Sequence, residues 1–284
     1  MIKIKNKGFL SNISLTKKII YFITKPITQK TLQFKNLHQG ESCYIFGDGA
    51  SIKWFNLNMF PKKPTFTLKS MLFHKESESL DIKYSLVIEP WFFYPYFRDS
   101  FYQKEFKINK IQRKYHKYIK GKKNINFFVN LSCYPLLSGK NIYYLFKAIN
   151  DKDFEFLNEC TVNEEDIFKG SFHCAIALAI YMGFKNILLV GCDYTHKSYR
   201  PLHWYEKGKS LLSHVEPNYC KKYLSIAQKY ANITTITNDT GGTFIPSITY
   251  ENYTKKTPVY RENNELLDYE ILKSFATWPG YKIF

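Results

Sequence analysis

Cys43-Tyr44-Ile45-Phe46-Gly47-Asp48-Gly49-Ala50-Ser51 is the stretch on which the reading of this chain turns. Its first residues read as a short buried strand that runs straight into a Gly-x-Gly-x-Ser turn, with amphipathic sequence beyond. Glycines at a strand-to-helix turn let backbone N–H groups approach an anion closely, and a helix N-terminus adds a partial positive charge. The stretch therefore points to a phosphate or nucleotide site near the start of an α/β domain. Gly-Asp-Gly turns also close strand ends that hold no ligand, so the weight passes to a second region.

That region begins near Asp166. Ala175, Leu178, Ala179 and Met182 recur at helical spacing, Gly183 ends the helix, and an apolar strand follows over 187–191. A helix over 217–230 and a strand over 233–237 continue the alternation, and Asp239-Thr240-Gly241-Gly242 is a turn. Helix followed by apolar strand is half of a parallel α/β repeat. Further strands are expected at 65–68, 84–89 and 125–129, with a helical, aromatic and lysine-rich stretch at 92–120 that Pro95 breaks near its beginning. Residues 132–162 are irregular by pattern and are expected to hold a lid or an edge hairpin. The fold class that follows is α/β: a Rossmann-like, mostly parallel sheet flanked by helices, with an aromatic and basic lid at about 195–215.

Composition narrows the alternatives. The chain has 284 residues, 45% hydrophobic and 18% aromatic, which excludes disorder over most of its length. Cysteines at 43, 133, 160, 174, 192 and 220 form no CxxC pair and no metal-ligand spacing, so they read as reduced thiols of a cytoplasmic protein. The net charge of +17 is uneven, because residues 1–40 contain no acid and carry lysines at 3, 5, 7, 17, 18, 25, 30 and 35. No nucleic-acid module or regular basic stripe is visible, so no nucleic-acid partner is expected. Ile13, Ile20, Ile23 and Ile27 share one helical face beside Lys17, Lys18 and Lys25. The apolar run over 19–23 is too short to span a bilayer, and it lacks the features of a secretory signal. Such a basic amphipathic segment can lie on an anionic membrane surface, here the inner face of the cytoplasmic membrane, or pack on its own domain. The division expected is an N-terminal arm, 1–40, and a single nucleotide-binding α/β domain, 41–284; a homo-oligomer stays open.

In open α/β sheets ligands bind beyond the carboxyl ends of the strands. Three such ends carry polar residues here: Asp48, Glu89, and Cys192-Asp193-Tyr194. The segment from Tyr194 to His214 would overhang that edge as the lid, and its histidines, His196, His203 and His214, are the acid/base candidates.

These residues resemble a known family, the bacterial sialyltransferases of glycosyltransferase family 42, which use CMP-sialic acid and have a GT-A-like variant of the Rossmann architecture. The 47–51 turn resembles that family's Gly-Asn-Gly-Pro-Ser loop. The block from Ser171 to Tyr194, with Ala177, Ala179, Gly183, Phe184, Lys185, Ile187, Gly191 and Asp193, resembles its Ser-Gly helix, Gly-Tyr-Lys turn and Gly-Ile-Asp-Phe-Tyr strand end. The stretch 86–93 resembles its Tyr-Asn-Pro strand end, His214 stands where the family has its catalytic histidine, and the next sixteen residues close on Lys229-Tyr230. The resemblance covers about 42–240. It departs at Asp48 and Glu89, both asparagine in the family pattern; unless paired with lysine or protonated, each carboxylate would repel a phosphate donor.

The resemblance implies an inverting, metal-independent transfer of sialic acid or a related nonulosonic acid. The donor would be a CMP-activated sugar acting as co-substrate, and the acceptor a hydroxyl of a surface polysaccharide or lipooligosaccharide glycan, with no resident cofactor. His214 would be the base, a role typically worth about 10²–10⁴-fold in rate. Tyr194 and Tyr199 would donate to the leaving phosphate in place of a metal; ordinary lid packing is their other reading. Gly47, Asp48, Gly49 and Ser51 would hold the nucleotide, with Glu89 and Asp193 nearby, and Ser171 would face the sugar carboxylate. The wording around Cys192-Asp193-Tyr194-Thr195 and His203-Trp204-Tyr205-Glu206 also resembles a broader set of related domains of unknown function, which neighbour motility-associated glycosyltransferases and an archaeal pterin diphosphokinase. That alternative needs Mg²⁺, for which Asp48, Glu89 and Asp193 would be the ligands. A third alternative is a basic binding module for membrane or nucleic acid.

Overall fold

Strands buried on both faces must be nearly continuous in apolar residues, and this is how the sheet is built. The computed structural model describes residues 19, 22–93, 110–145, 170–197, 199–213, 218–238, 242–278 and 280–284. Its strands are β1 (Ser42–Phe46), β2 (Pro64–Leu68), β3 (Asp81–Val87), β4 (Asn126–Asn130), β5 (Ile142–Leu145), β6 (Asn186–Val190), β7 (Asn232–Thr237) and β8 (Ser247–Thr249). They form one eight-stranded sheet in the order β5-β4-β3-β2-β1-β6-β7-β8. Every pairing is parallel. The expected Rossmann-like α/β architecture is therefore the observed one. The edge hairpin expected within 132–162 is absent from the described part of that stretch: β5 lies there and pairs parallel to β4, reached through a 3-10 turn at Leu131–Cys133.

Alternation along each strand divides the core. Tyr44 and Phe46 of β1 face one cluster, while Cys43 and Ile45 face the other. The first cluster is covered by helix α1 (Lys110–Gly121), through Ile111, Tyr115 and Ile119, and by Leu266, Leu272, Phe275 and Trp278 of the C-terminal segment. The second is covered by α2 (Ser171–Tyr181) and α3 (Asn218–Ala227), whose alanines and Cys174 allow close approach to the sheet. β1 to β2 and β2 to β3 are joined by 3-10 turns rather than α-helices.

Residues 22–28 are helical and lead into a 3-10 turn, Gln29–Phe34, whose Phe34 packs edge-on against Tyr84, Phe128 and Tyr143. The later part of the stretch read as an arm thus joins the core. Of its apolar face, Ile23 is exposed and Ile27 half-buried against the first cluster, while Ile13 and Ile20 lie outside the described residues. Among the described residues no helix is long and apolar enough to cross a membrane.

Candidate active site

The chain leaves β1 toward β2 on one side, and β6 enters on the other, so the strand order reverses between them. Such a reversal opens a crevice at the carboxyl ends of the two strands. A cleft of ≈ 280 Å³ sits there, walled by the ends of β1, β2, β3 and β6, the first turn of α2, and residues 199–203 of the lid.

The glycines of this crevice serve the backbone first. Gly47 and Gly49 donate their N–H groups at 2.8 Å to the carbonyls of Val190 and Gly191. A Cβ on Gly49 would lie 2.4 Å from Asp193 Cγ and 2.5 Å from Gly191 O. Gly191 itself has φ +65°, and a Cβ there would meet Ile52 at 2.5 Å, so both space and conformation require glycine. The expectation that Gly47 and Gly49 present N–H groups to phosphate is corrected here, because those donors are committed to β6. Ser51 is corrected likewise. It is buried and does not line the cleft, and both its N–H (3.0 Å) and its hydroxyl donate to the Asp193 carboxylate. Asp193 therefore fastens the turn after β1 to the end of β6.

The other two carboxylates have partners too. Asp48 accepts from Ser70 N–H and Trp204 Nε1, each at 3.3 Å. Burial nevertheless raises its pKa, with His203 and Lys69 offsetting only part of the rise. Glu89 lies 3.1 Å from Lys69 Nζ, and its other oxygen accepts from Ser171 Oγ at 2.8 Å. Burial alone would raise Glu89, but the Lys69 ammonium and the Ser171 hydroxyl outweigh it and hold the carboxyl below its ordinary range. The lysine pairing that the sequence left conditional is thus present at Glu89. Lys69 follows β2 directly, with φ +45°, and nothing in its own sequence context marked it. Among the described residues no three His, Cys, Asp or Glu side chains gather into a metal-binding group.

The lid closes the opposite wall. It is held by isolated bridges between Gly49 and His203, Tyr199 and Ser213, and His196 and Thr243. Tyr194 and Tyr199 both line the cleft, with ring centroids 5.0 Å apart. Arg200, which the sequence reading did not single out, also lines it; its guanidinium stacks 5.0 Å over Trp54 and donates to the carbonyls of Ser210 and Lys209.

Of the three lid histidines, His203 is the one described at the cleft. His196 is buried away from it, and His214 lies outside the described residues. His203 Nδ1 donates to Glu206 Oε2 at 2.8 Å, and the His203 N–H reaches the same oxygen at 2.9 Å. Glu206 Oε1 accepts from Lys282 N–H at 3.2 Å. Burial acts to raise Glu206, but these His203 and Lys282 contacts hold it below the ordinary range and keep it an acceptor. With Nδ1 committed, Nε2 is the nitrogen with which the ring can meet a substrate. The ring is stacked on Tyr205 at 5.0 Å, and Tyr281 meets its edge.

No family model and no curated protein matches the chain. Among solved structures it is similar to the sialyltransferase CST-II, crystallised in complex with a trisaccharide acceptor and CMP. The two share 14% identity with a TM-score of 0.41, over 84% of this chain and 100% of that one.

Proposed function

We propose that this protein is a glycosyltransferase that takes a CMP-activated nonulosonic acid, sialic acid or a relative, and transfers it to a glycan hydroxyl without a metal. The observation that carries the reading is the content of the switch-point cleft: a helix N-terminus, two lid tyrosines, an arginine and a carboxylate-held histidine converge on one crevice. An inverting transfer needs a base for the acceptor hydroxyl and donors for the departing phosphate. In this reading the phosphate lies near Tyr194, Tyr199 and Arg200, whose hydroxyl and guanidinium groups are hydrogen-bond donors.

Asp48 faces the nucleoside, and Gly47 and Gly49 shape the floor. Ser171, at the first turn of α2, stands beside the donor sugar, with Glu89 and Lys69 fixing it. His203 takes the acceptor proton through Nε2, oriented by Glu206; His214, the base that the family resemblance implies, is the competitor for that role. In the diphosphokinase alternative Asp48, Glu89 and Asp193 could supply carboxylate ligands for Mg²⁺. Each is instead engaged by a different protein donor, which favours the metal-independent reading.

The deciding experiment is calorimetry with CMP, CDP, UDP and a purine triphosphate, with and without EDTA. CMP binding that EDTA leaves unchanged is the expected result. A strict Mg²⁺ requirement, or preference for the purine nucleotide, returns the diphosphokinase alternative.

A further inference from the structure

The lid carries a feature that neither cleft nor core explains. Leu211 is 88% exposed and its neighbour Leu212 43% exposed. Two adjacent leucines in water are unfavourable, and a floppy loop tip would fold them back. Here the loop is braced. Ser213 N–H donates to Tyr199 O at 2.8 Å, and the Arg200 guanidinium grips the carbonyls of Lys209 and Ser210 from inside. Ser210 has φ +59°, a left-handed conformation that non-glycine residues seldom adopt.

The surroundings say what the leucines meet. Lys209 lies 4.8 Å over the ring of Tyr260, Tyr260 packs 5.1 Å from Trp54, and Arg200 covers Trp54. Val259, next to Tyr260, is 65% exposed. Residues 194–213 contain Lys197, Arg200, Lys207 and Lys209 against a single acid, Glu206, which is buried under His203. Nearby Glu262 is already held by Lys53, the Gly208 N–H and the Tyr260 hydroxyl. The patch thus combines protruding aliphatic side chains, a half-buried Trp–Tyr pair and a cationic rim. Those are the three elements that an anionic bilayer surface rewards: acyl chains for the leucines, the headgroup level for Trp and Tyr, and anionic headgroups for the cations. A second copy of the chain fits less well. Its identical cationic rim would be brought against this one, and two leucines are far short of the roughly 1,200 Å² of a stable interface.

We infer that the Leu211–Leu212 tip, which Arg200 braces from the cleft side, docks this protein through the leucines, Lys207 and Lys209 on an anionic lipid surface and sets the cleft against it. The contact goes beyond the glycosyltransferase reading and does not depend on it, since vesicles register docking whatever the cleft binds. It is also distinct from any contact made by the N-terminal arm.

A probe at the tip tests it. In the full chain with Cys160→Ser, Leu211→Cys is labelled with an environment-sensitive fluorophore and titrated with vesicles of phosphatidylcholine alone or with phosphatidylglycerol. The other native cysteines are buried. Emission should rise and shift to the blue with the anionic vesicles, and brominated acyl chains should quench it. Adding Lys207→Glu and Lys209→Glu should raise the lipid concentration needed at least tenfold. Flotation of unlabelled protein should show a similar loss for Leu211→Ser with Leu212→Ser. A tip signal that ignores vesicles, or flotation unchanged by the leucine variant, overturns the proposal. So does a lipid-free signal that grows with protein concentration, which would make a second copy the occupant.

Discussion

The two walls of the switch-point cleft are built on opposite principles. On the strand-end wall the charged groups satisfy one another: Lys69 with Glu89, Glu89 with Ser171, and Asp48 with Ser70 and Trp204. On the lid wall the functional groups are gripped at one end only, His203 at Nδ1 by Glu206 and Arg200 at one guanidinium nitrogen by two carbonyls. A group held from behind keeps a free end for a substrate, whereas a fully paired group mainly holds the fold. Substitutions on the lid wall should therefore cost function, and those that leave a strand-end charge buried and unpaired should cost stability.

The largest effect is expected at His203. His203→Ala should lower turnover by about 10²-fold or more, with nucleotide affinity and melting temperature little changed. Glu206→Gln should lower it less and shift the acidic limb of the pH–rate profile, where a general base is lost to protonation, as expected of a positioning residue. If His214→Ala is the variant that collapses turnover and His203→Ala is not, the base lies outside the wall described here.

Lys69→Met tests the other wall. It leaves Glu89 buried with only Ser171 as a partner and should cost about 3 kcal/mol at pH 7; that is the low end for breaking a buried pair, because the lysine is partly exposed. The sign with pH follows from linkage. In the wild type Glu89 is depressed, so its stabilising contribution is present above the unfolded carboxyl pKa and is lost as pH falls through the folded value. Urea denaturation should accordingly show the gap between variant and wild type narrowing below about pH 4.5. A constant gap would mean that Lys69 acts through packing alone.

Arg200→Ala should weaken nucleotide binding about tenfold, or roughly 1.4 kcal/mol, by calorimetry. Arg200→Lys should restore little, since an ammonium cannot both stack on Trp54 and keep a planar fork. The smallest effect is expected at Asp48. Asp48→Asn relieves the burial of a charge but gives one of two donors, Ser70 N–H or Trp204 Nε1, an amide in place of an acceptor. The two should nearly cancel, leaving stability within about 1 kcal/mol. Nucleotide affinity should be equal or higher.

The two faces of the sheet differ in how far the sequence disclosed them. The α2–β6 unit was legible because its information is local: alanines at helical spacing, a glycine stop and an unbroken apolar strand. The opposite face was not, because its covering layer is assembled from 3-10 turns and from C-terminal residues such as Phe275 and Trp278, which no short-range period announces. β5 was missed for a related reason. A four-residue edge strand is too short for a pattern to stand out.

At the site, the sequence by itself determined where the strand ends fall. It thereby placed Asp48, Glu89, Asp193 and Tyr194 around one crevice, since apolar runs and glycine stops are properties of neighbouring residues; Ser171 and Tyr199 were added by the family resemblance. Only the tertiary structure decided what those residues do there. It turned the N–H groups of Gly47 and Gly49 inward to β6, spent Ser51 on Asp193, and brought Lys69 to Glu89. It also chose His203 over His196 for the cleft and set Arg200 across Trp54. Each of those outcomes is a pairing between residues from different strands or loops. Such a pairing depends on the order in which parallel strands come to lie side by side, which local sequence does not encode.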